Sequence, residues 1–105
     1  MIVRLWRGWA PPATADAYQA FLARELDTGF LADLGEGFLG MEVLRRDLGG
    51  EVEFATVLRF TDWDAVRSFA GEDAEVAVVP PEARSLLSRF DAHVAHFERV
   101  DHRAP

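Results

Sequence analysis

Few side chains in this sequence are suited to chemistry, and Trp63 and His96 lead them. Trp63 stands in Thr61-Asp62-Trp63-Asp64, where an apolar strand gives way to a short helix. An indole at such a corner is a large amphipathic ring, and on its own it anchors the helix on the sheet. His96 carries the group best matched to proton transfer near neutral pH. A strand histidine also serves as a hydrogen-bonded structural residue or stands at a subunit interface. Trp6, which shares a strand face with Ile2 and Arg4, reads first as core or interface. Tyr18 can point its hydroxyl into a pocket, although packing accounts for it equally well. His93 and His96 lie three apart in what reads as one strand, so they face opposite ways and cannot chelate one metal together.

Composition removes other chemistries. Zero cysteines exclude disulfides, thiolate catalysis and cysteine-ligated metal centres. Three histidines, one of them in the tail, give no ligand cluster of the usual spacing, so neither a metal nor a bound cofactor is expected. The acidic Glu72-Asp73-Ala74-Glu75 reads as a solvated loop rather than a cation site. A formal charge of −7 repels phosphate backbones and anionic lipid surfaces, which argues against nucleic acid and membrane partners. No segment offers the roughly 20 apolar residues of a membrane span, and the first nine residues, broken by Arg4 and Arg7, lack the apolar stretch of a signal peptide. A cytoplasmic protein is expected.

These side chains need a frame. At 105 residues the chain fits one domain, residues 1–105, with a loose tail from about 101. Residues 2–9 are rich in β-branched and aromatic types and stop at Pro11-Pro12, predicting a strand. Tyr18, Phe21, Leu22 and Leu26 then follow helical spacing, predicting a helix over about 14–28 that stops at Gly29. The apolar segment 30–35 predicts an irregular connection. Residues 38–47 and 51–60 flank Leu48-Gly49-Gly50, the signature of a hairpin. With Gly49-Gly50 as its loop, Arg46 falls opposite Glu53, and Val43, Met41 and Leu39 fall opposite Thr56, Leu58 and Phe60. Thr61 with Asp64 predicts a capping box for a helix ending near Phe69. Pro81 suits the first position of another helix over 82–89, and 90–100 reads as the last strand.

The order β-α-β-β-α-β predicts an α+β, ferredoxin-like subunit: four antiparallel strands with helices on one face. The other face carries Leu44, Ala55 and Val57 beside Glu42, Arg59 and the Arg46–Glu53 pair, too apolar to be fully wet. A second copy of the chain is the simplest cover, forming a dimeric α+β barrel.

Arg4, Trp6 and Gly8 in the first strand, Tyr18 in the first helix, Gly40, Thr61-Asp62-Trp63, Phe69-Ala70-Gly71, Pro80-Pro81-Glu82-Ala83 and His96-Phe97-Glu98 together resemble the antibiotic biosynthesis monooxygenase family of the dimeric α+β barrel superfamily. The resemblance spans nearly the whole chain as scattered positions. It implies a pocket between sheet and helices lined by Trp63, Tyr18, Trp6 and Phe69, with Trp63 and His96 as catalytic candidates. It also implies a homodimer and cofactor-independent oxygenation of a small aromatic or quinol-like ligand. A non-catalytic binding or regulatory dimer is the alternative. Haem-degrading relatives use an axial histidine on the helical region beyond the tryptophan matching Trp63, and residues 64–79 contain none.

Overall fold

The computed structural model describes residues 1–29 and 31–105, and Phe30 of the predicted 30–35 connection lies outside them. The elements are β1 (Ile2–Ala10), α1 (Pro12–Asp27), β2 (Phe38–Asp47), β3 (Val52–Phe60), α2 (Trp63–Ala70), α3 (Pro81–Leu86), β4 (Arg89–Phe90) and β5 (Ala95–Glu98). The sheet is antiparallel and runs β2-β3-β1, with β4 and β5 both paired to the far side of β1. This is the ferredoxin-like order. The helix α1 starts at Pro12, two residues before the predicted start, because a proline at the first helical position gives up no needed N–H.

The hairpin holds the predicted register at Arg46–Glu53, Val43–Thr56 and Met41–Leu58. It departs at the end, where a bulge between Phe38 and Gly40 sets Phe38, not Leu39, opposite Phe60. Gly49 takes φ +91°, the left-handed conformation that a two-residue hairpin loop of the II′ kind requires at its first central position. The cap of α2 is also shifted by one residue: Asp62, not Thr61, accepts from the backbone N–H of Ala65 at 2.9 Å. Gly37 lets α2 close on the hairpin, since a Cβ there would stand 2.3 Å from that of Ala65.

The predicted continuous last strand is interrupted. The register along β1 moves from Phe90 opposite Gly8 to Ala95 opposite Leu5, so four residues of the edge face two of β1. The freed backbone turns to the α2–α3 connection instead: Val94 N–H donates to the Glu75 carbonyl at 2.7 Å and Ala77 N–H to that of Ala92 at 3.1 Å. His93 therefore lies in the bulge, bridged to Val76 and exposed, rather than in a strand with His96.

Even-numbered residues of β1 and β3 face the helices. Phe54, Leu58 and Phe60 pack there under Tyr18, Leu22 and Val66, with Tyr18 edge-on to Phe54 at 5.0 Å between centroids. The opposite face carries Leu44, Ala55, Val57 and Phe97, and Leu44 and Phe97 are 50% and 56% exposed. Ion pairs punctuate that face, Arg59–Glu42 at 2.6 Å and Arg46–Glu53 at 2.8 Å. Residues 101–105 are exposed and form no regular element.

Candidate functional site

Alternation along β1 sends Ile2, Arg4, Trp6 and Gly8 to the helix face. Three of these are what a core expects. Arg4 is not, and it is only 4% exposed. Its Nη1 donates to the Ala74 carbonyl at 2.6 Å and to Nε2 of His96 at 2.9 Å, the latter on the neighbouring strand β5 directly opposite. Burial pushes the guanidinium down to about 10, which leaves it charged at neutral pH.

His96 is neutral by the same logic. Burial first, then the adjacent charge of Arg4, lowers its pKa, against a smaller opposing pull from Glu75. An imidazole that accepts at Nε2 carries its proton on Nδ1, and that Nδ1 is buried without a partner among the described residues. The helix α2 roofs the pair with two aromatics. Trp63 packs on His96 with 5.1 Å between ring centroids, and Phe69 stacks on Arg4, whose guanidinium carbon is 5.3 Å from its centroid.

Beside this pair lies a cavity of about 60 Å³ between sheet and helices. Trp6, Tyr18 and Phe69 line it, with Arg4 and Thr56 as its charged and polar floor. Three of the four pocket residues named from the sequence therefore share one cavity wall. The fourth, Trp63, stands outside it: its ring is 37% exposed and rests on His96. His96 does not line the cavity either and meets it through Arg4. The indole N–H of Trp6 is committed, donating to the Asp91 carbonyl in the edge bulge at 2.6 Å. Burial raises the Tyr18 phenol well above its usual range, so it remains a protonated donor.

Arg4 and Thr56 are the residues that sequence reasoning missed as site groups. The signal was present in the alternation: an arginine and a threonine at inward positions of strands whose other inward residues are apolar. A second cleft, about 420 Å³ and lined by Asp33, Leu34, Gly35 and Ser68, shares Phe69 and Val78 with the cavity as a common wall. Among the described residues no cluster of histidine and carboxylate side chains is arranged to hold a metal ion. No described helix is long and apolar enough to cross a membrane.

No protein-family model matches this sequence, and no curated protein does. Solved structures do match in shape. A Bacillus cereus protein of the antibiotic biosynthesis monooxygenase type superposes with a TM-score of 0.69 at 14% identity, covering 99% of this chain and 97% of that one. A variant of SnoaB, a cofactor-independent oxygenase from Streptomyces nogalater, gives 0.66 at 18% identity, covering 96% and 94%. MhuD, a heme-degrader from Mycobacterium tuberculosis with two hemes bound in its active site, gives 0.60 at 21% identity, covering 99% and 100%. The chain has the ferredoxin-like α+β fold of antibiotic biosynthesis monooxygenase-type structures over nearly its whole length.

Proposed function

We propose that this protein oxidises a small aromatic or quinol-like metabolite with dioxygen, without a cofactor, in the cavity between sheet and helices. The observation that carries this reading is the cavity itself, lined by Trp6, Tyr18 and Phe69 and floored by Arg4 and Thr56. Such a site keeps water from an electron-rich ring while a fixed charge favours its deprotonated form. The likeness of fold to SnoaB supports it. The reaction balances as an activated methylene plus dioxygen giving a carbonyl and water. His96 is the side chain suited to take the first proton; it stands behind Arg4 rather than on the cavity, so Nε2 must part from Arg4 Nη1 and the guanidinium must swing aside before a substrate can reach it. Trp63 packs on the imidazole.

A heme-based reaction does not fit these residues. Residues 64–79 hold no histidine, and the Nε2 of His96 is held by Arg4.

The working unit in this reading is a cytoplasmic homodimer paired through the half-apolar sheet face. A non-catalytic binding dimer is the second reading, favoured by the occupied lone pair of His96 and by the cavity volume. About 60 Å³ is far below the roughly 150 Å³ in which a benzene ring is accommodated, so an aromatic substrate requires the Phe69 and Val78 wall to part. Oxygen-electrode assays with anthrone and hydroquinones, run beside fluorescence titrations of the same compounds, separate the two. Turnover supports the oxygenase; saturable binding with no oxygen uptake supports the binding dimer.

A further inference from the structure

Among the described residues Arg4 is a buried cation without a counter-ion. Its partners are a neutral imidazole and a backbone carbonyl, and among the described residues no carboxylate pairs with it. Burial of an ion is costly unless an opposite charge and hydrogen bonds compensate, and here both partners sit on the single nitrogen Nη1. The other edge of the guanidinium, Nε with Nη2, has no partner among the described residues. That edge presents two parallel N–H groups, the fork that matches the two oxygens of a carboxylate.

Two further groups on the same cavity are in the same condition. Thr56 and Tyr18 are buried residues on that cavity whose hydroxyls make no hydrogen bond among the described residues; unlike His96 Nδ1, neither oxygen is sealed off, and both keep surface open to a small ligand. With the open edge of Arg4, three polar groups that have no hydrogen-bond partner among the described residues share a cavity of about 60 Å³, room for roughly four waters or for a carboxylate head with a short apolar stem.

We propose that the ligand of this site is a small carboxylate, its two oxygens gripped by Nε and Nη2 of Arg4, with the Tyr18 and Thr56 hydroxyls as additional donors. His96 and Ala74 hold the guanidinium from behind so that this edge stays turned to the cavity. The apolar stem of the acid runs toward Phe69 and Val78, the wall shared with the outer cleft. The inference rests on the reading of this cavity as the ligand site and narrows its ligand from any electron-rich molecule to an acid.

Calorimetric titration of propionate and benzoate against their neutral amides tests it. At least one acid is expected to bind about tenfold more tightly than its amide, the usual margin for a charge-assisted pair. Thr56→Val and Tyr18→Phe are expected to weaken the acid severalfold and the amide, whose carbonyl is the poorer acceptor, by less. Because neither hydroxyl has a protein hydrogen bond to lose among the described residues, the ligand-free variants should melt close to the wild type, which keeps the test usable even if Arg4→Gln fails to fold. Equal affinity for acid and amide, or no binding of either acid at millimolar concentration, overturns the proposal. Oxygen uptake with neutral hydroquinone but no acid binding would leave the oxygenase reading standing without this one. Acid binding with no oxygen uptake from any substrate would do the reverse.

Discussion

Arg4 Nη1 donates to His96 Nε2 at 2.9 Å across the β1–β5 ladder, where the two residues are direct partners. A charge therefore faces the lone pair of the imidazole, and protonating His96 would set two cations against each other. His96 has its folded pKa below the ordinary 6.5, so in the window between them the unfolded chain binds the extra proton. Stability is expected to be full above about 6.5 and to fall as pH drops through that value. His96→Gln keeps an acceptor for Arg4 but cannot titrate. Its melting temperature should depend less on pH across this window than that of the wild type, and identical slopes would show that the pair does not report the titration.

The same substitution addresses chemistry. If His96 takes the substrate's proton, His96→Gln should melt near the wild type at neutral pH yet lose about 100-fold or more in turnover of an accepted substrate. Unchanged turnover would limit His96 to holding Arg4. His96→Ala, by contrast, leaves the buried guanidinium short of an acceptor and should cost about 1–3 kcal/mol in urea unfolding.

Phe60 has no exposed surface and packs between Phe38, tilted against it, and Phe69, stacked on it, with centroid distances of 5.8 and 5.9 Å. Phe60→Ala should destabilise by about 3–5 kcal/mol, read by urea unfolding. Since Phe69 lies on Arg4, the cavity wall should loosen as well, and fluorescence titration with a ligand would register the change.

Asp62→Ala removes the side-chain cap of α2 and should cost about 1 kcal/mol, whereas Thr61→Ala should change stability by only a few tenths. Thermal melts of both variants decide between the two capping schemes. An equal loss in both would restore the capping box read from the sequence.

The proposed pairing of sheet faces predicts a dimer at micromolar concentration by analytical ultracentrifugation. Phe97, 56% exposed on that face, is a suitable lever: Phe97→Asp should shift the species to monomer with its far-ultraviolet spectrum intact. A monomeric wild type would sink the assembly argument.

The order of elements, the hairpin register up to Met41–Leu58 and the inward stripe Tyr18, Phe21 and Leu22 were legible in the sequence. Each depends on local periodicity or on one turn, and period 2 or 3.6 can be read from neighbours alone. The departures arise where a long-range partner competes with the local signal. Asp62 takes the cap from Thr61 because its carboxylate reaches Ala65 N–H, and the edge strand breaks because Val94 finds the Glu75 carbonyl in the α2–α3 connection.

The site divides in the same way. Residue type and spacing were enough for a cysteine-free α+β subunit with Tyr18 on an inward helical stripe, because helical period decides which way a side chain points, whereas Trp6 and Phe69 were placed in the pocket by the resemblance to the antibiotic biosynthesis monooxygenase family. Only the tertiary structure decided that Trp63 rests on His96 outside the cavity and that Arg4, 92 positions from His96 in the chain, is its partner on the cavity floor. Hydrogen bonding and desolvation act across space rather than along the chain. A charge with one edge satisfied and the other open therefore becomes visible only when β1 and β5 lie side by side.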